Sequence, residues 1–251
     1  MADRSPFLSH FDVILLDMNG TFMFGHDRFA PGEDYHATYR ALGGHRLSRE
    51  SLATTMAGCL SGLLRDYDTP SRFDDFPTLA EAFRNYGGAA EDDIPMLERV
   101  FGAHERGVVP SEHAECLVRL SHTHRLGVVS NICGRPQSWR DHFSDVGLQS
   151  AFTCTVFSSE GRSIKPSHRL FHSALTSFPA GARVLFVGDN HERDIVPARA
   201  LGLGTAWIAP AGSVSAIADV VVGSLLELEG ARSRLLPYER PPDAAPSDLS
   251  V

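Results

Sequence analysis

Four short runs of Val, Ile and Leu constrain this chain more than any other feature: VILLD (13–17), LGVVS (126–130), VLFVGD (184–189) and GTAWI (204–208), with a weaker ADVVV (218–222) after them. Apolar runs without polar alternation belong to strands buried on both faces, the condition of a parallel sheet. Between the later runs the pattern turns helical, over Glu112 to His122, Pro136 to Val146, His168 to Ser177 and Glu192 to Leu201. Strands alternating with helices predict the α/β class, as a doubly wound, Rossmann-like parallel-sheet core.

The interval between the first run and the second is far too long for one crossover. It holds helix-like segments instead: EDYHATYRAL, RESLATTMAGCLSGLLRDY, TLAEAFRNY and IPMLERVFGAHE. Leu52, Met56, Cys59, Leu60, Leu63 and Leu64 follow a helical stripe. A helical domain inserted after the first strand is therefore expected at 31–106, hinged near FGHDRFAPG and GVVP, between core segments 1–30 and 107–235. A chain of 251 residues with 43% hydrophobic content can fill one full core and a smaller appended one. The final stretch, 236–251, is rich in Pro, Ala and Asp and is expected to be disordered.

A formal net charge of −8 and the lack of any Lys/Arg block argue against a nucleic-acid surface. A small anion, which needs one or two local cations, stays compatible. No apolar run approaches the length of a membrane span, and MADRSPFLSH lacks the pattern of a signal peptide, so a soluble cytoplasmic protein without membrane partners is expected. The four cysteines form no C-x-x-C pair and are expected to be buried, reduced thiols. His168 and His172 have the helical spacing of zinc ligands but lack a third, so a solvated face is expected. Neither a G-x-x-x-x-G-K-[ST] nor a G-x-G-x-x-G loop occurs, and Ser130 lacks the G-x-S-x-G elbow. No pattern in the chain sets an oligomeric state.

Ligands of open α/β sheets sit beyond the carboxyl ends of the strands, so the residues closing each run matter most. DMNGT sends Asp17 out of a buried strand into a Gly-containing turn, with Thr21 able to hydrogen-bond an oxyanion. SNICG offers the Ser130 hydroxyl and backbone N–H groups to a phosphate oxygen, with Asn131 beside them. IKPSHRLF places Lys165 before a proline that opens a helix. GDNHERD puts Asp189 at a strand end and Asp194 in the following helical turn. Taken singly, each has a plain reading: Asp17 as a helix N-cap, Asp189 and Asp194 as acids favoured at a helix N-terminus, Lys165 and Ser130 as loop residues.

In this order and at these strand ends, the four motifs resemble the haloacid dehalogenase (HAD) superfamily of aspartate-nucleophile phosphatases and their relatives. The resemblance covers the chain outside the insert and the tail, and the insert resembles the superfamily's C1-type helical cap. It implies that Asp17 takes the phosphoryl group of a small phosphorylated substrate as an aspartyl phosphate. It further implies that Thr21 and Ser130 bind the phosphate oxygens with Asn131 as support, and that Lys165 neutralises charge. Mg²⁺ is the implied cofactor, held by Asp17, Asp189, Asp194 and the backbone carbonyl of Asn19. A hard cation and an ammonium cancel the repulsion between a carboxylate and a phosphate dianion.

Asn19 departs from the resemblance. Phosphatases of the superfamily carry there an aspartate that protonates the leaving oxygen and activates water, and an asparagine cannot exchange a proton near neutral pH. Haloacid dehalogenases, phosphonatases and cation-pumping ATPases of the superfamily carry Tyr, Ala and Thr at this place, so a departure marks changed chemistry or a changed leaving group. Three readings follow: a phosphatase or phosphoryl-transfer enzyme with altered acid–base help, a catalytically weak phosphate-binding or regulatory protein, and a haloacid dehalogenase. His26 is the nearest candidate substitute for the proton carrier. Arg65, Tyr67 and Arg72 of the insert could face the site, although solvent-facing charge is the default expectation.

Overall fold

The computed structural model describes residues 6–231. Six parallel strands form one sheet in the order β3-β2-β1-β4-β5-β6: β1 is Val13–Leu16, β2 Arg125–Ser130, β3 Phe152–Phe157, β4 Val184–Gly188, β5 Gly204–Ile208 and β6 Val220–Val222. The helices are α1 (Tyr35–Ala41), α2 (Arg49–Tyr67), α3 (Leu79–Asn85), α4 (Ile94–Glu105), α5 (Ser111–Ser121), α6 (Gln137–Asp145), α7 (Ser158–Gly161), α8 (His168–Leu175) and α9 (Val196–Ala200).

Both faces of the sheet are covered. Ile14 and Leu16 of β1 join one hydrophobic cluster with Leu117 and Leu120 of α5 and Trp139 and Phe143 of α6. Val13 and Leu15 join another with Leu170 and Phe171 of α8 and Ala198 of α9. Alternate residues of one strand thus feed two cores, which is why the run carries no polar positions. The doubly wound α/β expectation holds.

The sequence reading missed β3. This strand lies at the sheet edge, half-buried along most of its length, and FTCTVF carries two threonines where a doubly buried strand would be apolar. Helix α8 starts later than Pro166, at His168, with the Ser167 side chain accepting from Arg169 N–H.

Helices α1 to α4 build a third cluster around Met56, Phe83, Leu97 and Phe101, which Ile164 of the loop before α8 joins. Asp34 and Ser48 cap α1 and α2, and Thr78 with Glu81 forms a reciprocal capping box on α3. Of the α2 stripe, Leu52, Met56, Cys59 and Leu63 are buried, whereas Leu64 is exposed, because the buried face continues to Tyr67 instead. The two chain segments flanking this block meet: Phe24 N–H donates to Val108 O at 2.9 Å and Val108 N–H to Phe24 O at 2.8 Å.

All four cysteines are unpaired; Cys59 and Cys116 are buried, Cys133 and Cys154 only partly so. His168 and His172 are both exposed and touch ring to ring. Among the described residues no helix is long and apolar enough to cross a membrane. The segment 236–251, expected to be disordered, lies outside the described residues.

Candidate active site

Strand β1 has β2 on one side and β4 on the other, so the sheet order changes direction beside it, where a crevice opens at the carboxyl edge. Asp17 leaves β1 there, its N–H still donating to Val187 O of β4 at 2.8 Å. The turn that follows needs glycine: Gly20 has φ +74°, and a Cβ on it would collide with the Asp189 carboxylate. The missing side chain lets the end of β4 close against the end of β1.

Asp17 is buried and its Oδ1 accepts from two donors, Ser130 Oγ at 2.9 Å and Lys165 Nζ at 2.7 Å. Lys165 Nζ also reaches Asp194 Oδ1 at 2.6 Å. Asp194 sits in a π-helical turn, His191–Ile195, and its second oxygen accepts from Asn190 N–H at 3.0 Å. Gly188 permits this too, since a Cβ there would strike the Asp194 carboxylate. Asp189 closes β4 on the solvent side, and the Trp207 indole N–H holds its backbone carbonyl at 2.9 Å. Asp17, Asp189 and Asp194 each offer an oxygen within 4.8 Å of the others.

Three carboxylates face one ammonium. Burial pushes Asp194 up to about 7, against the pull of Lys165, with the Asp17 charge adding to the rise. Partial loss of hydration, then the Asp17 charge, pushes Asp189 up to about 6. Burial alone would lower Lys165, but Asp17 and Asp194 outweigh it and the net shift is upward. The cluster is short of positive charge.

Other predicted residues gather around this centre. Asn131 joins Lys165 twice, accepting its N–H on Oδ1 at 2.8 Å and donating from Nδ2 to its carbonyl at 3.3 Å. Thr21 Oγ1 and Asn19 Oδ1 are buried with no hydrogen-bond partner among the described residues, an uncommon condition for a polar atom. His26 is half-buried beside Asp27, 3.7 Å away, with Nδ1 likewise unpartnered. Arg65 is exposed and lies over the Tyr86 ring, and Arg72 pairs with Asp66. Of the three insert residues only Tyr67 reaches the site, its hydroxyl accepting from Asn131 Nδ2 at 3.1 Å.

Two residues escaped the sequence reading. Arg193, inside GDNHERD, lies on the Tyr67 ring. Glu105 closes α4 and accepts from the N–H groups of Cys133 at 2.6 Å and Gly134 at 2.7 Å, behind the Ser130 loop. An acid closing a helix pattern, where acids are disfavoured, was the available signal for Glu105.

Residues 74–208, more than half of the chain, match the haloacid dehalogenase-like hydrolase family. The chain belongs to that family. The matched span holds Ser130, Asn131, Lys165, Asp189 and Asp194, and leaves Asp17, Asn19 and Thr21 outside it. Over 129 residues the chain is 30% identical to a phosphoserine phosphatase of Thermus thermophilus, covering 51% of each protein; it thus spans about half the length of that curated relative.

Solved structures of similar fold include the HAD phosphatase from Thermococcus onnurineus, with a TM-score of 0.57 and 23% identity over 87% of this chain and 96% of that one. The 2-haloacid dehalogenase from Pseudomonas syringae pv. Tomato DC3000 gives a TM-score of 0.60 and 18% identity over 88% and 97%. The HAD-hydrolase YfnB from Bacillus subtilis, bound to magnesium, gives 0.55 and 19% over 88% and 98%. At these identities the likeness is one of fold.

Proposed function

We propose that this hydrolase is a Mg²⁺-dependent phosphatase or phosphoryl-transfer enzyme that acts on a small phosphorylated metabolite through an aspartyl phosphate at Asp17. The asymmetry of the Asp17 carboxylate carries the reading. Ser130 and Lys165 both hold Oδ1, while Oδ2 has no donor among the described residues. A carboxylate fixed by one oxygen keeps the other oriented and free to attack phosphorus.

In that attack the Oδ2–P bond forms, the ester P–O bond breaks, and the electron pair leaves on the alcohol oxygen, which then takes a proton from solvent water. Asn19 has none to give, so the site favours leaving groups that need little protonation. The Lys165 ammonium offsets charge on Asp17 and on the phosphoryl oxygens, and Thr21 supplies a hydroxyl donor to those oxygens; Ser130, whose one hydroxyl proton is held by Asp17 Oδ1, would donate to them only by turning away from Asp17. Asp17, Asp189, Asp194 and the Asn19 carbonyl are the groups that would hold Mg²⁺; an all-oxygen donor set short of positive charge fits a hard dication. When bound, the ion supplies charge neutralisation at the transferred group. The magnesium-bound YfnB structure and the Thermus phosphoserine phosphatase support the assignment.

The same reading makes residues 31–106 a C1-type cap over the core segments 1–30 and 107–235, and puts the protein in the cytoplasm, where its four unpaired thiols stay reduced. Dehalogenation is disfavoured by the retained acidic trio and by Asn19 where dehalogenases carry tyrosine.

The test is turnover of an aryl phosphate. Mg²⁺ should support it, EDTA should abolish it, and Asp17→Ala should show none. Full activity after chelation, chloride release from a 2-haloacid, or phosphate binding without turnover would overturn the proposal.

A further inference from the structure

Tyr67, the last residue of α2, belongs to the helical block, yet its hydroxyl stands beside the Ser130–Asn131 corner of the site. Its surroundings decide which way its proton can go. The Lys165 N–H can only donate, so the Asn131 oxygen must face it, at 2.8 Å. The Asn131 amide nitrogen is thereby turned toward the Lys165 carbonyl and the Tyr67 hydroxyl. The phenol oxygen accepts that bond. Its own proton has no acceptor among the described residues, and the charges of Lys165 and Asp17 both act on the group.

Arg193 fixes the ring. Its guanidinium carbon lies over the Tyr67 ring, 3.6 Å from the centroid, and its nitrogens donate to Tyr67 O at 2.7 Å and Lys165 O at 2.6 Å. One planar fork therefore joins the end of α2 to the backbone of the residue that neutralises Asp17. Asp68 is the acid nearest to it, at 3.6 Å and largely exposed. The guanidinium is mostly buried and spends its donors on carbonyls instead of on that carboxylate.

We propose that Tyr67 is a substrate-binding residue supplied by the helical block, donating its hydroxyl proton to an oxyanion of the phosphate ester, and that Arg193 is the positioning residue that holds it there. The inference rests on the phosphatase reading above. A phenol suits this place because it adds a donor to an anion without a further charge. It also makes phosphate binding depend on how the block sits on the core, since the Arg193 bond to Tyr67 O and its contact with the Tyr67 ring break if the block lifts, while its bond to Lys165 O stays within the core. A ring that merely packs, against Phe76 for example, would work equally well as phenylalanine.

The full-length protein with Mg²⁺ is titrated with inorganic phosphate by calorimetry, and assayed with an aryl phosphate. Tyr67→Phe should raise the phosphate Kd and the KM by about 10- to 100-fold, the range for a hydrogen bond to a charged group, with a smaller change in kcat and an unaltered Tm. Arg193→Gln, which leaves the hydroxyl in place, should weaken phosphate similarly, and the double variant should be little worse than either single one. Tyr67→Phe binding phosphate as the wild type does would overturn the role of Tyr67. Fully additive losses would overturn the role of Arg193. A wild-type protein that binds no phosphate would remove the phosphatase reading itself, and the inference with it.

Discussion

The loop from Ser130 to Gly134 has a buried acid at each end, and the two are held in opposite ways. At one end Asp17 accepts from a hydroxyl and an ammonium, with two further carboxylates close by. At the other end Glu105 accepts from the backbone N–H groups of Cys133 and Gly134, with the Cys133 thiol beside them, and burial pushes its pKa up to about 8. At the Asp17 end an ammonium offsets part of the buried charge, whereas Glu105, held by dipoles, approaches neutrality near physiological pH and serves to pin the chain. Between them, Ser158 fastens Ile132 by both its N–H and its carbonyl, so the loop is tied at every residue.

Changing the acid content of the Asp17 end should give the largest effect. Asn19→Asp restores a proton carrier where general acid–base help is worth about 10²–10⁴-fold, so hydrolysis of a generic phosphate ester should rise by that order. Steady-state rates and the lifetime of the phosphoenzyme measure it. An unchanged or lower rate would assign the proton to another group, with His26 and its unpartnered Nδ1 the nearest one.

Removing the cation tests whether the ammonium is what separates the two ends. Lys165→Met leaves buried carboxylates without compensation and should cost about 3–5 kcal/mol in denaturant unfolding, together with turnover. A variant as stable as the wild type would mean that Asp17 and Asp194 do not depend on the ammonium for their burial.

The Glu105 end should respond least, and with a distinctive pH dependence. Its folded pKa, about 8, lies above its ordinary 4.5, so the native state holds the proton more tightly than the unfolded chain does. The stabilising contribution is complete below pH 4.5, declines between the two values and is gone above about 8. Glu105→Gln should lose about 1–3 kcal/mol by misfitting one of the two N–H donors, and should also lose this slope. The Tm difference between wild type and variant is therefore expected to shrink as pH rises from 5 to about 8.5. A difference independent of pH would show that Glu105 is ionised throughout.

What could be read from the chain follows how local each signal is. Strands β1, β2, β4 and β5 were legible because burial on both faces leaves them largely apolar, and β3 was not, because an edge strand, half-buried along most of its length, tolerates both Thr153 and Thr155. Asp17, Ser130, Lys165, Asp189 and Asp194 were legible as strand-end or loop residues, and they converge in space. Tyr67 and Arg193 meet only through the docking of α2 against the turn after β4, a contact with no local periodicity to announce it. Leu64 was misjudged for a related reason: α2 turns its buried face toward Tyr67 at its end, and the neighbouring side of the helix is left to solvent.

The position of β1 between β2 and β4 has a consequence for the birth of the protein. The ribosome makes Val13–Leu16 first and its second neighbour, Val184–Gly188, much later. At about 5–20 residues per second, the apolar strand waits roughly 10 to 30 seconds before both of its edges can be paired. Helices α1 to α4, which contact one another, are complete long before that and can fold in the interval. The strand that ends in Asp17 thus waits longer for its second neighbour than any other strand of the sheet.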